Sequence, residues 1–375
     1  MRNMRIGIDA RFLGAMKQRG IGRYVQELVH QLLSQKPQDI TLVLFLSEEG
    51  MQSVPTTEGV EKICAPLPWY SIAEQLYMPG LTKRARVDVM HFPHFNVPWR
   101  CPVPYVLTVH DLILLQSHRQ RATTLSPIIY RLKYQAWKVL LRHALAHAAR
   151  IIVPSHAVEH DLVSFMPRVT LKISMIYEGV PTVEAKSIIS AKSGSTFGGK
   201  NPYILYVGSA YPHKNLERLL QAFALLPTSY HLVLVGKEDY FYQRLKKEQA
   251  HLLNNVIFTG EVSDKELAVL YCNATLAVFP SLHEGFGLPP LEAASYGCPV
   301  ACSNIAVLQE IMGHSAAFFF NPYDVNNMVQ VMHEALINEK ARQEKIKNAR
   351  VRAQSFSWSK MATQTLNLYH NTLSQ

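Results

Sequence analysis

No apolar stretch of this sequence is long enough to cross a bilayer. Runs such as TLVLFLS and YILYVG stop well short of the ~20 residues that a spanning helix needs. The opening MRNMRIGIDAR also lacks the apolar core of a secretory leader, so a cytoplasmic protein is expected. Cysteine is scarce: Cys64, Cys101, Cys272, Cys298 and Cys302 are odd in number and scattered. That pattern indicates neither a disulfide framework nor a zinc site, and buried free thiols are expected. Acidic residues are few as well, with 28 Asp and Glu against 38 Lys and Arg, a net charge of +10. Such an excess favours an anionic partner: a nucleic acid, a phosphorylated small molecule or the anionic face of a membrane. Charge alone does not choose among them.

What the chain does have is length and apolar content. Its 375 residues, 48% hydrophobic, suffice for two domains with substantial cores. Apolar, β-branched runs alternate with helical stretches throughout. The runs are RIGIDAR, TLVLFLS, VDVMHFP, YVLTVHD, RIIVPS and ISMIYEG, then YILYVGS, HLVLVGK, VIFTGE, TLAVFPS, PVACSN and AAFFFN. Helical patterns such as Arg23–Leu33, Asn215–Leu226 and Asp264–Tyr271 lie between them. Strands that are apolar along their whole length imply parallel sheets covered on both faces, an α/β doubly wound architecture occurring twice. The Ser-, Gly- and Lys-rich stretch 185–201 reads as a linker between a first domain, 1–184, and a second, 202–357.

Ligands of such sheets bind beyond the carboxyl ends of the strands, and one segment there stands out: PSLHEGFGLPPLEAASYG, residues 280–297. A strand ends, a loop carries Glu284, Gly285 and Gly287, and a helix opens on two prolines with Gly297 as its stop. Glycines let main chain approach a ligand, a helix start attracts phosphate, and Glu284 and Glu292, the latter expected in the first helical turn, can accept hydrogen bonds from sugar hydroxyls. Either acid alone is more often a helix-stabilising or solvated charge. Both acids, two glycines and two prolines in one register favour a functional loop.

HEGFGLPPLEAASYGCPV resembles the Glu-x7-Glu signature of the retaining glycosyltransferases of family 4, which have the GT-B fold: two facing Rossmann-like doubly wound domains with an interdomain cleft. IDARFLGAMKQRGIGRYVQELV is similar to that family's N-terminal glycine loop, TVHDL to its His-Asp segment, VGSAYPHKNLERLLQAF to its donor-phosphate loop and FSWSKMATQTLNLY to its last helices. In order, these cover nearly the whole chain. The resemblance implies that 358–375 packs back on the first domain, which binds the acceptor, and that the second binds the nucleotide sugar. It implies that Glu292 holds the ribose hydroxyls, Glu284 lies by the donor sugar, and the main chain at Gly285, Phe286, Gly287 and Leu288 contacts sugar and diphosphate. It further implies that Lys214 neutralises the diphosphate, that His110 contacts the donor sugar, with Asp111 as an orienting neighbour, and that Gly20 and Gly22 approach the diphosphate, with Arg19 and Arg23 as phosphate contacts. His213 and Ser209 are also implied to line the donor site, but they stand where relatives often carry arginine, which leaves Lys214, Arg218 or Lys237 to supply positive charge. On residues alone, His110 would read as structural, and a lone G-x-G means little.

The reaction implied is hexose transfer from a nucleoside diphosphate to a glycan or polyprenyl-diphosphate-linked acceptor with retention, by same-face attack. The forms GIGRY and HDL look most like enzymes that use GDP-mannose to build surface polysaccharides. Members generally need no metal and no cofactor beyond the donor, and no Asp-x-Asp pair occurs here. The basic, aromatic helix from Ile128 to Arg150 reads equally as a core helix or as a contact with the inner face of an anionic membrane, where such an acceptor would lie. Competing readings are a UDP-sugar-dependent transferase, an epimerase of the same fold and a non-catalytic nucleotide- or nucleic-acid-binding protein. The last leaves the paired acids unexplained, because carboxylates repel phosphate backbones.

Overall fold

The structure is a computed structural model and describes residues 3–13, 20–116, 127–180 and 202–373; the expected linker, 185–201, lies outside them. Two compact units divide the chain: Met1–Leu112, Thr123–Gly179 and Trp358–Gln375 form unit 1, and Ile113–Ala122 with Val180–Ser357 forms unit 2.

The strands are β1 (Met4–Asp9), β2 (Ile40–Leu46), β3 (Val60–Cys64), β4 (Val89–Phe92), β5 (Tyr105–Thr108), β6 (Arg150–Val153), β7 (Ile173–Met175), β8 (Tyr203–Val207), β9 (His231–Val235), β10 (Val256–Gly260), β11 (Leu276–Phe279), β12 (Val300–Ser303) and β13 (Phe318–Phe320). The α-helices are α1 (Gly20–Gln35), α2 (Glu48–Ser53), α3 (Ile72–Arg84), α4 (Ile113–Gln116), α5 (Pro127–His147), α6 (His156–Phe165), α7 (Leu216–Phe223), α8 (Tyr240–Glu248), α9 (Asp264–Asn273), α10 (Leu288–Ser295), α11 (Ala306–Met312), α12 (Val325–Ile337), α13 (Glu339–Ala353) and α14 (Trp358–Leu373).

Unit 1 is built on a seven-stranded sheet in the order β3-β2-β1-β4-β5-β6-β7, parallel throughout. Unit 2 is built on a six-stranded sheet in the order β10-β9-β8-β11-β12-β13, again parallel. Central strands such as β4, β5 and β11 are buried at every position, as a sheet sandwiched between helices requires. Each buried Leu, Val or Ile side chain contributes about 1.5–3 kcal/mol. The edge strand β3, VEKIC, is only partly buried. Its polar alternation is absent from the apolar runs read in the sequence, because an edge strand keeps one face wet.

Helix starts follow local capping chemistry. Ser155 caps α6 and Asp239 caps α8, while Ser263 and Glu266 form a reciprocal capping box on α9. Helix α14 joins unit 1: fully buried His91 of β4 meets the Tyr369 hydroxyl through Nδ1 at 2.6 Å, and its Nε2 lies 2.8 Å from Thr108 Oγ1. In each sheet the strand order reverses once, between β1 and β4 and between β8 and β11. The carboxyl ends of these neighbouring strands splay their loops apart and leave room for a ligand.

Candidate active site

In unit 2 the loops at the reversal point are those that follow β8 and β11. After β8 the chain passes Gly208 and Ser209 and makes a short 3-10 turn over Pro212–Lys214, ending on Asn215 at φ +60°. Asparagine tolerates this left-handed conformation better than most residues. The buried Asn215 amide donates to the carbonyls of Pro280 (3.0 Å) and Pro322 (2.8 Å), tying together the loops after β8, β11 and β13. The Leu282 N–H donates to the His213 carbonyl at 2.7 Å, a second stitch between the first two loops.

That stitching brings Lys214 and Glu284, 70 residues apart in sequence, into an ion pair: Nζ donates to Oε1 at 2.6 Å, and Ser281 Oγ donates to the same oxygen at 2.7 Å. Both side chains are largely shielded from water, with 18% and 13% of their surfaces exposed. Burial pushes the Glu284 carboxyl up, but the charge and hydrogen bond of Lys214 and the Ser281 hydroxyl outweigh it, so its pKa stands below the ordinary value. A charge-assisted contact in a shielded place is strong while both partners are present.

His213 adds no charge. Burial first, and the Lys214 ammonium second, push its pKa down to about 4, and its ring stacks on Tyr211 at 5.8 Å. Ser209 is half-buried, and its carbonyl accepts a hydrogen bond from the Tyr206 hydroxyl at 2.7 Å. Arg218 is turned to Asn215 Oδ1 (2.8 Å) and lies over the Tyr323 ring, while Lys237 is exposed. Lys214 is thus the cation that these two loops bring to the sheet edge.

The 284–288 loop is anchored by Phe286, which is buried and edge-on to Phe356. Gly287, at φ +100°, is the cap of α10, and a Cβ there would meet Leu308 at 2.7 Å. Leu288 is the first helical residue, with Pro289 and Pro290 next. Two details differ from the sequence expectation. Glu292 is the fifth residue of α10 and so lies in its second turn, half-buried, because Leu288 already has helical geometry and starts the count early. The prolines also remove two of the free N–H groups that a helix start normally offers. Leu288 keeps its own N–H, and any further amides must come from the 285–287 loop. Gly297, at φ +75°, ends the helix, with Arg350 lying against it.

In unit 1, His110 follows β5. Its Nε2 lies 2.9 Å from the Pro93 carbonyl, at the end of β4, and its Nδ1 lies 2.9 Å from Glu178 Oε1, beyond β7. Tyr24 of α1 stands edge-on to the ring at 4.7 Å. Gly20 opens α1 and buried Gly22 sits in its first turn, neither with positive φ, so they form the helix start itself. Arg23 lies 3.6 Å from Glu27 on the same helix. Arg19 and the loop 14–19 lie outside the described residues.

Several site residues were not singled out in the sequence. Glu178 lies in an unremarkable YEG, and Ser281 is marked only by standing three residues before Glu284. A buried cluster at the end of β1 was missed too: Arg11 donates to both oxygens of Asp9 (2.7 and 2.6 Å), to Glu74 and to the Leu67 carbonyl (3.0 Å), all three charged side chains being essentially inaccessible.

The family described as Glycosyltransferase Family 4 matches residues 18–184, and that described as Glycosyl transferases group 1 matches residues 189–352. The chain belongs to the family 4 glycosyltransferases. It is 29% identical over 379 residues to O-antigen chain mannosyltransferase B of Escherichia coli, covering 93% of this chain and 95% of that protein. It is 32% identical over 283 residues to the serotype-specific mannosyltransferase WbdA of the same organism, covering 72% of this chain and 33% of WbdA, so it spans about a third of that longer relative. Sucrose-phosphate synthase from Thermosynechococcus elongatus superposes with a TM-score of 0.79 at 20% identity over 99% of both chains. WaaG, a glycosyltransferase involved in lipopolysaccharide biosynthesis, superposes with 0.74 at 15% identity over 97% of this chain and 99% of its own. The two parallel-sheet units are those of a GT-B glycosyltransferase, and the protein is an enzyme of glycosyl transfer.

Proposed function

We propose that this glycosyltransferase moves mannose from GDP-mannose, with retention of configuration, to a hydroxyl of a surface glycan carried on a polyprenyl diphosphate. The observation that carries this reading is the Lys214–Glu284 pair at the ends of β8 and β11, where a doubly wound sheet takes its ligand. The two E. coli relatives named as mannosyltransferases favour mannose.

In this reading the diphosphate lies by the Lys214 ammonium and the amides of the 285–288 segment. As the glycosidic bond breaks, the leaving phosphate gains charge, and a fixed cation with aimed N–H groups stabilises that charge more than the ground state. Glu284, held by Lys214 and Ser281, accepts from a sugar hydroxyl. Glu292, in the second turn of α10, accepts from the ribose. The leaving phosphate takes the proton of the attacking hydroxyl on the same face, which calls for no carboxylate nucleophile. No metal is needed where Lys214 and the amides supply the positive field.

The acceptor's membrane is supported by unit 1. Helix α5 has no acidic residue, and it carries Arg131, Lys133 and Lys138 beside exposed Ile128 (75%) and Leu132 (68%), a pattern suited to an anionic bilayer surface. Among the described residues, no helix is long and apolar enough to cross a membrane. In this reading the contact is peripheral, at the cytoplasmic face where nucleotide sugars are supplied.

Calorimetry with GDP, UDP, ADP and dTDP, each with and without EDTA, tests the donor. GDP is expected to bind tightly and without need of a metal, whereas a preference for UDP would replace the donor assignment. Glu292→Gln is expected to weaken GDP binding about tenfold or more, the loss of a charged hydrogen bond. Lys214→Ala is expected to lower kcat by about 10²–10³. Wild-type kinetics in both variants would overturn the site.

A further inference from the structure

We infer that Glu178 is a positioning residue for His110, sharing a proton with its Nδ1 and leaving the ring no free lone pair with which to act as a base. The Pro93 carbonyl can only accept, so His110 Nε2 carries a proton and donates it at 2.9 Å. The Nδ1 to Glu178 Oε1 contact is also 2.9 Å. A bare Nδ1 against an ionised carboxylate would set two lone pairs against each other. The side chains are only 11% and 6% exposed, so water does not relieve that repulsion.

A proton must therefore lie between Nδ1 and Oε1. It rests on Nδ1, in contact with Oε1, so ring and carboxylate bear opposite charges and the pair as a whole is uncharged.

The surrounding groups leave Glu178 as the partner. His91 of β4 and His94, just beyond it, both have pKa values pushed down to about 3, by burial first and by the charge of His110 second, so neither offers charge of its own. Burial above all raises the Tyr24 hydroxyl, which stays protonated. Asp111 is the next residue in the chain, and Glu178 is the carboxylate that meets the ring.

The clamp draws on three elements. Pro93 comes from the end of β4, His110 from the end of β5 and Glu178 from beyond β7, while Tyr24 of α1 closes one edge of the ring. Its consequence is that His110 serves the donor sugar by its place and its ring edge, and the acceptor's proton leaves by another route. This inference rests on the reading of His110 as a residue of the transfer site.

The test is nitrogen-15 NMR of histidine-labelled protein at neutral pH, with His110 assigned by its loss in His110→Gln, together with steady-state kinetics. Wild type is expected to show protons on both His110 nitrogens. In Glu178→Gln the amide can donate to Nδ1, so the ring keeps its place but Nδ1 becomes bare. Glu178→Ala is expected to lose about 10²-fold in kcat, the cost of a misplaced group, with the donor KM little changed and Glu178→Gln retaining more activity. A bare Nδ1 in wild type overturns the shared proton, and unchanged kcat in both Glu178 variants overturns the positioning role. If His110→Gln keeps full activity, it is the assignment of His110 to the site that fails, and the spectrum still decides the state of the pair.

Discussion

At Lys214 the ammonium is already engaged. Glu284 Oε1 accepts from it at 2.6 Å, so under the proposed function an arriving diphosphate would share the cation with a carboxylate that also repels it. Glu284→Gln lifts that repulsion while keeping a hydrogen-bonding group. In calorimetry and kinetics, the variant is expected to bind GDP more tightly, by about tenfold for 1.4 kcal/mol, and to turn over more slowly. Weaker GDP binding in the variant would argue that Glu284 supports the diphosphate site and does not compete with it. The sequence marked both residues, yet not their pairing. That depends on β8 and β11 being neighbours in the sheet, which no local pattern encodes. Glu178 was hidden for a related reason, since its meaning comes wholly from His110, which lies 68 residues earlier.

Among the elements, α10 shows how proline reshapes a helix start. Pro289 and Pro290 pre-set helical φ and remove two donors, so under the proposed function phosphate recognition would fall to loop amides and Lys214. The loop after β8 is held as closely by its neighbours. The Tyr242 hydroxyl donates to the Gly208 carbonyl at 2.9 Å, and a Cβ on Gly236 would come within 2.1 Å of that same oxygen. Gly236→Ala must therefore displace the segment that leads to Lys214. A loss of about 1–3 kcal/mol in stability is expected, together with weaker GDP binding. A melting curve and a titration check both, and an unchanged variant would mean that this approach relaxes freely. Central strands were legible as continuous apolar runs, whereas β3 was not, because its partly wet edge position breaks the run.

The whole molecule carries a pH dependence in its buried histidines. His91 and His94 have pKa values near 3, and His213 near 4, whereas in the unfolded chain each titrates near 6.5. As pH falls below about 6.5 the unfolded chain takes up protons that the folded one refuses, and stability drops. The melting temperature is expected to stay level between pH 7 and 8 and to decline from pH 6.5 towards 4, with His91→Gln flattening the slope. A melting temperature that held steady to pH 5 would contradict the buried, neutral state of these rings. The doubly wound plan was legible at this scale because alternation of strand and helix survives any local error. The Asp9–Arg11–Glu74 cluster was not, because buried charge looks like surface charge until partners from distant elements are brought together.

The bond between His91 and Tyr369 also bears on the order of synthesis. Unit 1 takes its helix α14 from residues that follow the whole of unit 2 in the chain. While the second sheet is being made, the first half waits with the face of β4 and α1 that will receive α14 still bare. Its closing piece is made only after unit 2, so a ribosome that stalls before Trp358 leaves the first domain unfinished.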